Sequence, residues 1–95
     1  MTPLSHDAIT DALADLDGWH YADDKLQKSF TFGDFKEAMS FIVRLGFHAE
    51  AQNHHPELFN VYNRVDVALN THDAGNQVTE RDLKLARTIE DFSWT

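Results

Sequence analysis

The chain has 95 residues, 42% of them hydrophobic and 25% charged, with a formal net charge of −8 and no cysteine. One domain spanning residues 1–95 is the expected organisation. The absence of cysteine excludes disulfides, thiolate chemistry and cysteine-based zinc sites, and the acidic balance repels phosphate backbones, so direct nucleic-acid binding is not expected. No apolar run approaches the roughly 20 residues needed to cross a bilayer. Met1 to Asp17 also lacks a basic start followed by an apolar stretch, so neither a membrane partner nor a secretory signal is expected, and a cytoplasmic location is.

The first expected element is a helix over Ser5 to Leu16. Ile9, Ala12, Leu13 and Leu16 recur at helical spacing, Ser5 is placed to cap the first turn, and Asp17-Gly18 ends it. Trp19 to Asp23 and Leu26 to Phe32 then read as a strand pair joined through Asp23-Asp24-Lys25. Leu26, Lys28, Phe30 and Phe32 fall on one face of the second strand. Gly33 breaks that strand, and Asp34-x-x-Glu37 has the form of a capping box opening a long helix. Its expected apolar stripe is Phe35, Ala38, Met39, Ile42, Leu45, Gly46 and Ala49. Gly46 weakens such a helix unless it permits close packing.

The long helix should stop near Asn53, because Pro56 follows and the residue before a proline avoids helical geometry. Phe59 to Asn70 reads as two further strands with a turn near Asn63-Arg64. Phe59, Val61, Val65, Val67 and Leu69 form an odd-numbered apolar set. Thr71 to Gln77 is a loop. Thr79-x-x-Asp82 opens a last helix as a capping pair, with Leu83, Ala86, Ile89 and Phe92 as its buried stripe. The element order is αββαββα. An α+β fold follows, with a four-stranded antiparallel sheet and the helices packed on one face.

Three histidines sit at the ends of these elements: His54 and His55 where the long helix gives way to a strand, and His72 just beyond the partner strand. The start of one strand and the end of its hairpin partner share a sheet edge, so the three should converge. Imidazole exchanges protons near neutral pH, and such a cluster suits acid/base chemistry or a metal. A zinc ion with an open fourth position is the metal alternative, but adjacent histidines are poorly placed to ligate one ion. Glu50 and His54, four apart, share a helical face, where the carboxylate would orient and polarise the imidazole. Alternatively they are a solvated pair. His6, His20 and His48 lie outside this constellation, although His48 is on the helix carrying Glu50. Trp19, Trp94 and the phenylalanines read as core or interface.

The string from Glu50 to Pro56 (Glu-x-x-x-His-His-Pro), Asn60 to Asn63 (Asn-Val-Tyr-Asn), Leu69 to Gly75 (Leu-x-Thr-His-x-x-Gly) and Thr79 to Asp82 (Thr-x-x-Asp) resembles pterin-4a-carbinolamine dehydratase. The match is close from Glu50 to about Glu90. The earlier half agrees in its pattern of elements. Leu58 departs from the pattern, since some members carry Trp there, and that change is expected to alter one wall of the pocket.

The resemblance implies the same fold and a pterin substrate, with no metal and no cofactor of the protein's own. It implies dehydration of a 4a-hydroxytetrahydropterin to the quinonoid dihydropterin, in recycling of the pterin used by aromatic amino-acid hydroxylases. His54 and His72 would transfer protons, His55 would hold or polarise the pterin, and Glu50 would tune His54. Glu50, Pro56, Thr71 and Asp82 would contribute to substrate binding, Asp82 also capping the last helix. The resemblance also implies a homodimer or homotetramer. The expected contact is a sheet edge, with the last helix, Leu83 to Phe92, as a second candidate. The alternative on the same fold is a non-catalytic protein-interaction module, a transcriptional coactivator or assembly factor.

Overall fold

Ser5 begins the first helix, α1 (His6–Leu13), by accepting a hydrogen bond from the Ala8 amide at 3.1 Å. The computed structural model describes residues 2–95, so Met1, the first residue of the expected domain, lies outside the described residues. The remaining elements are β1 (His20–Ala22), β2 (Lys25–Thr31), α2 (Phe35–Ala51), β3 (Glu57–Val61), β4 (Arg64–Leu69), a short 3-10 turn (His72–Ala74) and α3 (Glu80–Phe92). The order αββαββα and the α+β class are those expected. Among the described residues no helix is long and apolar enough to cross a membrane.

The four strands form one antiparallel sheet in the order β1-β2-β4-β3. Asp23 and Asp24 both take positive φ, 54° and 60°, and so close the β1–β2 hairpin in two residues, a conformation short acidic side chains tolerate. Leu26, Phe30, Val65, Val67 and Leu69 are buried on one sheet face, and the helices cover it. Ala38, Phe41, Leu45 and Ala49 supply the buried stripe of α2. Leu83, Leu85, Ala86 and Ile89 supply that of α3.

Two expectations about faces are corrected. Phe41, absent from the expected stripe, is fully buried, whereas Phe35 at the start of α2 is 48% exposed. Phe41 sits at the centre of an aromatic cluster, with ring centroids 4.8 Å from Phe30, 4.9 Å from Phe32 and 5.5 Å from Phe92. Nor do Phe59 and Val61 share a face with Val65, Val67 and Leu69. The β3–β4 turn is Tyr62-Asn63, one residue earlier than expected, with Tyr62 at φ 50°. Val61 therefore pairs with Arg64 and Phe59 with Asp66. Directly paired residues project to the same side, so odd positions in β3 share a face with even positions in β4. Phe59 and Val61 stay exposed on the uncovered face.

Gly46 is exposed, and a Cβ there would meet nothing within 4 Å. The close packing that would justify a glycine is not present around it. Trp19 is buried and its indole N–H donates to Glu90 at 3.2 Å. The same carboxylate pairs with Lys28 at 2.9 Å. Trp94 lies against Phe32 and Phe41 and remains 47% exposed. His48 stacks on Phe92, centroids 4.9 Å apart.

Candidate active site

The end of α2 determines where the histidines go. Ala51 is the last residue of α2, Gln52 is its C-cap, and Asn53 turns to positive φ, 50°. The Asn53 amide donates to the Glu50 carbonyl and the His54 amide to the Ala49 carbonyl, both at 3.0 Å. This paired bonding is the Schellman ending, with Asn53 as its left-handed residue. It reverses the chain so that His54 turns under the helix and His55 turns outward. His54 is 7% exposed, while the His55 side chain is 62% exposed.

The reversal overturns one expected pairing. Glu50 does not touch His54; its Oε1 lies 2.8 Å from His55 Nε2. The four-residue spacing that would pair Glu50 with His54 holds only while the chain is helical, and helical geometry ends before His54.

The partner of His54 is Asp82. Its Oδ1 lies 2.5 Å from His54 Nε2, and its Oδ2 accepts from Thr71 Oγ1 and from the Thr79 amide, each at 2.8 Å. Thr79 caps α3 and, with Asp82, completes the capping box expected from the sequence. The Thr71 and Thr79 hydroxyls lie 2.7 Å apart. Asp82 has no exposed surface and Thr71 is 2% exposed, so Asp82 stands behind His54 and offers no atom to a ligand in the pocket.

An ionised Asp82 can only accept hydrogen bonds, so His54 Nε2 carries a proton toward it. Among the described residues His54 Nδ1 makes no hydrogen bond, yet none of their buried side-chain nitrogens or oxygens lacks a partner. Nδ1 therefore reaches solvent, into the cavity that His54 lines.

That cavity, about 210 Å³, is lined by Asn53, His54, His55, Asn70, Thr71, His72, Asp73 and Arg81. His54, His55 and His72 thus meet at one end of the sheet, as the hairpin layout requires. His72 is exposed, and its Nδ1 lies 3.2 Å from Asn76 Oδ1. With Asn76 accepting, His72 Nε2 is left free. Gly75 and Asn76, at φ 72° and 59°, close this loop. The Thr71 and Gln77 backbones bridge across its base. Glu50 and Pro56 flank His55 without lining the cavity. Leu58 does not line it either, so the departure noted there alters another surface. Among the described residues, no group of three His, Asp or Glu side chains is arranged to hold a metal ion.

Asn53, Asn70, Asp73 and Arg81 are wall residues that sequence reasoning passed over. Arg81 lies inside the Thr-x-x-Asp segment, one residue before Asp82, and that adjacency was the available signal.

The class defined by fold and site is an α+β protein with a histidine-lined, carboxylate-supported polar pocket. A sequence model of the family described as pterin 4 alpha carbinolamine dehydratase matches residues 2–92. A protein of Opitutus terrae, assigned by its name to the pterin-4-alpha-carbinolamine dehydratases, is 54% identical over 98% of this chain and 96% of its own. One of Christiangramia forsetii with the same assignment is 50% identical over 97% and 94%. A crystal structure from Brucella melitensis, described as a transcriptional coactivator/pterin dehydratase, superposes with a TM-score of 0.90 at 43% identity, covering 95% of this chain and 97% of that one. A pterin dehydratase-like protein described as a RuBisCO assembly factor of the alpha-carboxysome shares the fold, with a TM-score of 0.65 at 18% identity over 81% and 88% of the two chains. The chain belongs to the pterin-4a-carbinolamine dehydratase family.

Proposed function

We propose that the protein dehydrates a 4a-hydroxytetrahydropterin to the quinonoid dihydropterin, by histidine acid/base catalysis in one polar pocket. The observation that carries this reading is the meeting of His54, His55 and His72 in one cavity, with His54 anchored by Asp82. In the reaction the C4a–O bond breaks and the oxygen takes a proton to leave as water. N5 gives up its proton, and the N5–H electron pair becomes the C4a=N5 bond. The overall change is loss of one water, with no oxidant or reductant. One acid and one base suffice, and such catalysis contributes about 10²–10⁴-fold.

His54 and His72 are the proton-transfer pair in this reading. Each lines the cavity with one ring nitrogen hydrogen-bonded to a protein side chain, His54 to buried Asp82 and His72 to Asn76 at the surface, and the other left for the substrate. Asp82 fixes the ring and tautomer of His54. His55, paired with Glu50, holds the pterin at the open side. The cycle serves recycling of the pterin cofactor of aromatic amino-acid hydroxylases, in a cytoplasmic, single-domain protein that works as a homodimer or larger homo-oligomer.

A second reading is a non-catalytic interaction module, the role carried in part by the description of the Brucella melitensis structure. The observation favouring it is the exposed apolar side of α2, where Val43 and Phe47 are 58% and 75% exposed. A dehydratase assay with synthetic carbinolamine separates the two. Turnover well above the uncatalysed rate, lost in a His54→Ala/His72→Ala double variant, supports the enzyme. A wild-type protein no faster than buffer leaves the module.

A further inference from the structure

Arg81 is the second residue of α3, directly before Asp82. Its Nη2 donates to the Asn53 carbonyl at 3.2 Å, across 28 residues of sequence. Asn53 is the left-handed residue on which the ending of α2 turns. Two consecutive residues of one helical turn therefore grip two consecutive residues of another segment. Asp82 holds the His54 ring, and Arg81 holds the carbonyl that precedes it. Arg81 forms no ion pair among the described residues, so this carbonyl is its protein contact, and it lines the same cavity as the three histidines.

We infer that Arg81 is a positioning residue, whose guanidinium locks the reversal at Asn53 that sends His54 inward and His55 outward. This inference rests on the dehydratase reading for its kinetic consequence and on the fold alone for its structural one. A left-handed Asn is a sparsely populated state that persists when its surroundings enforce it. Without Arg81, the segment 53–55 keeps the Asp82 contact of His54 but loses the guanidinium tie that fixes the Asn53 carbonyl to α3, and the reversal opens more often. The imidazoles then sample orientations away from the productive one, and a displacement of about 1 Å can cost on the order of 10²-fold in rate.

The test uses Arg81→Ala and Arg81→Lys in the full chain, with two readouts. Hydrogen exchange of the His54 amide, which donates to the Ala49 carbonyl, reports the reversal directly. Steady-state dehydration kinetics report its consequence. Arg81→Ala should speed that exchange about tenfold or more and lower kcat/KM by about 10- to 100-fold, while His55→Ala acts mainly on KM. Arg81→Lys, which keeps a donor and a charge at the carbonyl, should recover both within about threefold of wild type. Wild-type exchange and kcat/KM in Arg81→Ala would overturn the inference, and so would Arg81→Lys behaving as badly as Arg81→Ala. If the wild-type protein shows no dehydration at all, the functional reading fails. The exchange measurement then decides by itself whether Arg81 locks the turn.

Discussion

Replacing Asp82 by Asn should separate the two tasks of this buried carboxylate. In the native site Oδ2 accepts from the Thr79 amide and Thr71 Oγ1, while Oδ1 faces His54 Nε2. The Thr79 N–H is a fixed donor, so the Asn oxygen must stay on that side. The Asn NH₂ then faces His54 Nε2, which can no longer donate and must accept. The proton moves to Nδ1, and the nitrogen open to the cavity loses its lone pair. Three bonds to a charged group, about 1.5–3 kcal/mol each, become neutral ones of about 1 kcal/mol, partly offset by removing a buried charge. A net loss of about 1–3 kcal/mol follows, or about 5–20 °C in Tm for a domain of this size. The catalytic loss should be larger than stability explains, about 10²–10⁴-fold in kcat, as for a triad histidine held in its wrong tautomer. The assays are carbinolamine dehydration below the new Tm and imidazole ¹⁵N spectra that report which nitrogen of His54 is protonated. Wild-type kcat in a variant whose His54 carries its proton on Nδ1 would refute the reasoning.

Further outcomes can be checked on the same protein. His54→Ala and His72→Ala should each lower kcat by about one to three orders of magnitude with the fold intact, and His55→Ala should raise KM more than it lowers kcat, as steady-state kinetics and circular dichroism would show. Gly46→Ala should raise stability by about 0.5–1 kcal/mol in urea denaturation, since a Cβ there meets nothing within 4 Å. Burial, then the hydrogen bond to Asp24 at 3.1 Å and the Asp24 charge, push the Tyr21 phenol above its usual range. The neutral phenol is the form the fold favours, so this contribution is present below the unfolded phenol pKa and fades as pH rises through the folded one. Ultraviolet titration should show Tyr21 ionising late, and Asp24→Asn should bring it part of the way back. Sedimentation at micromolar concentration should give a species of at least two chains, and a clean 10.9 kDa species would count against self-association.

What could be read from the sequence was what neighbouring residues decide among themselves. Ser5, Asp34 and Thr79 cap their helices as their local patterns indicate, because a cap is settled within four residues. The convergence of His54, His55 and His72 followed from strand order alone. The partner of His54 was hidden, because Asn53 leaves helical φ just before it and the four-residue rule lapses at that step. The faces of β3 were hidden for a similar reason: a turn placed one residue off exchanges every side chain of a strand between core and solvent. Arg81 was passed over because its contact is with a backbone carbonyl, which leaves no mark on the side-chain pattern.

The two tryptophans make the protein its own optical probe. Trp19 is sealed in the core with its indole bonded to Glu90, while Trp94 stands half in water near the C-terminus. Their emission should therefore separate by wavelength, Trp19 to the blue and Trp94 to the red. Quenching by a water-soluble agent should reach Trp94 first. A Trp94→Phe variant would leave one reporter, whose red shift marks loss of the core and nothing earlier. Neither indole lines the histidine cavity, so a ligand bound there will be seen through energy transfer rather than contact.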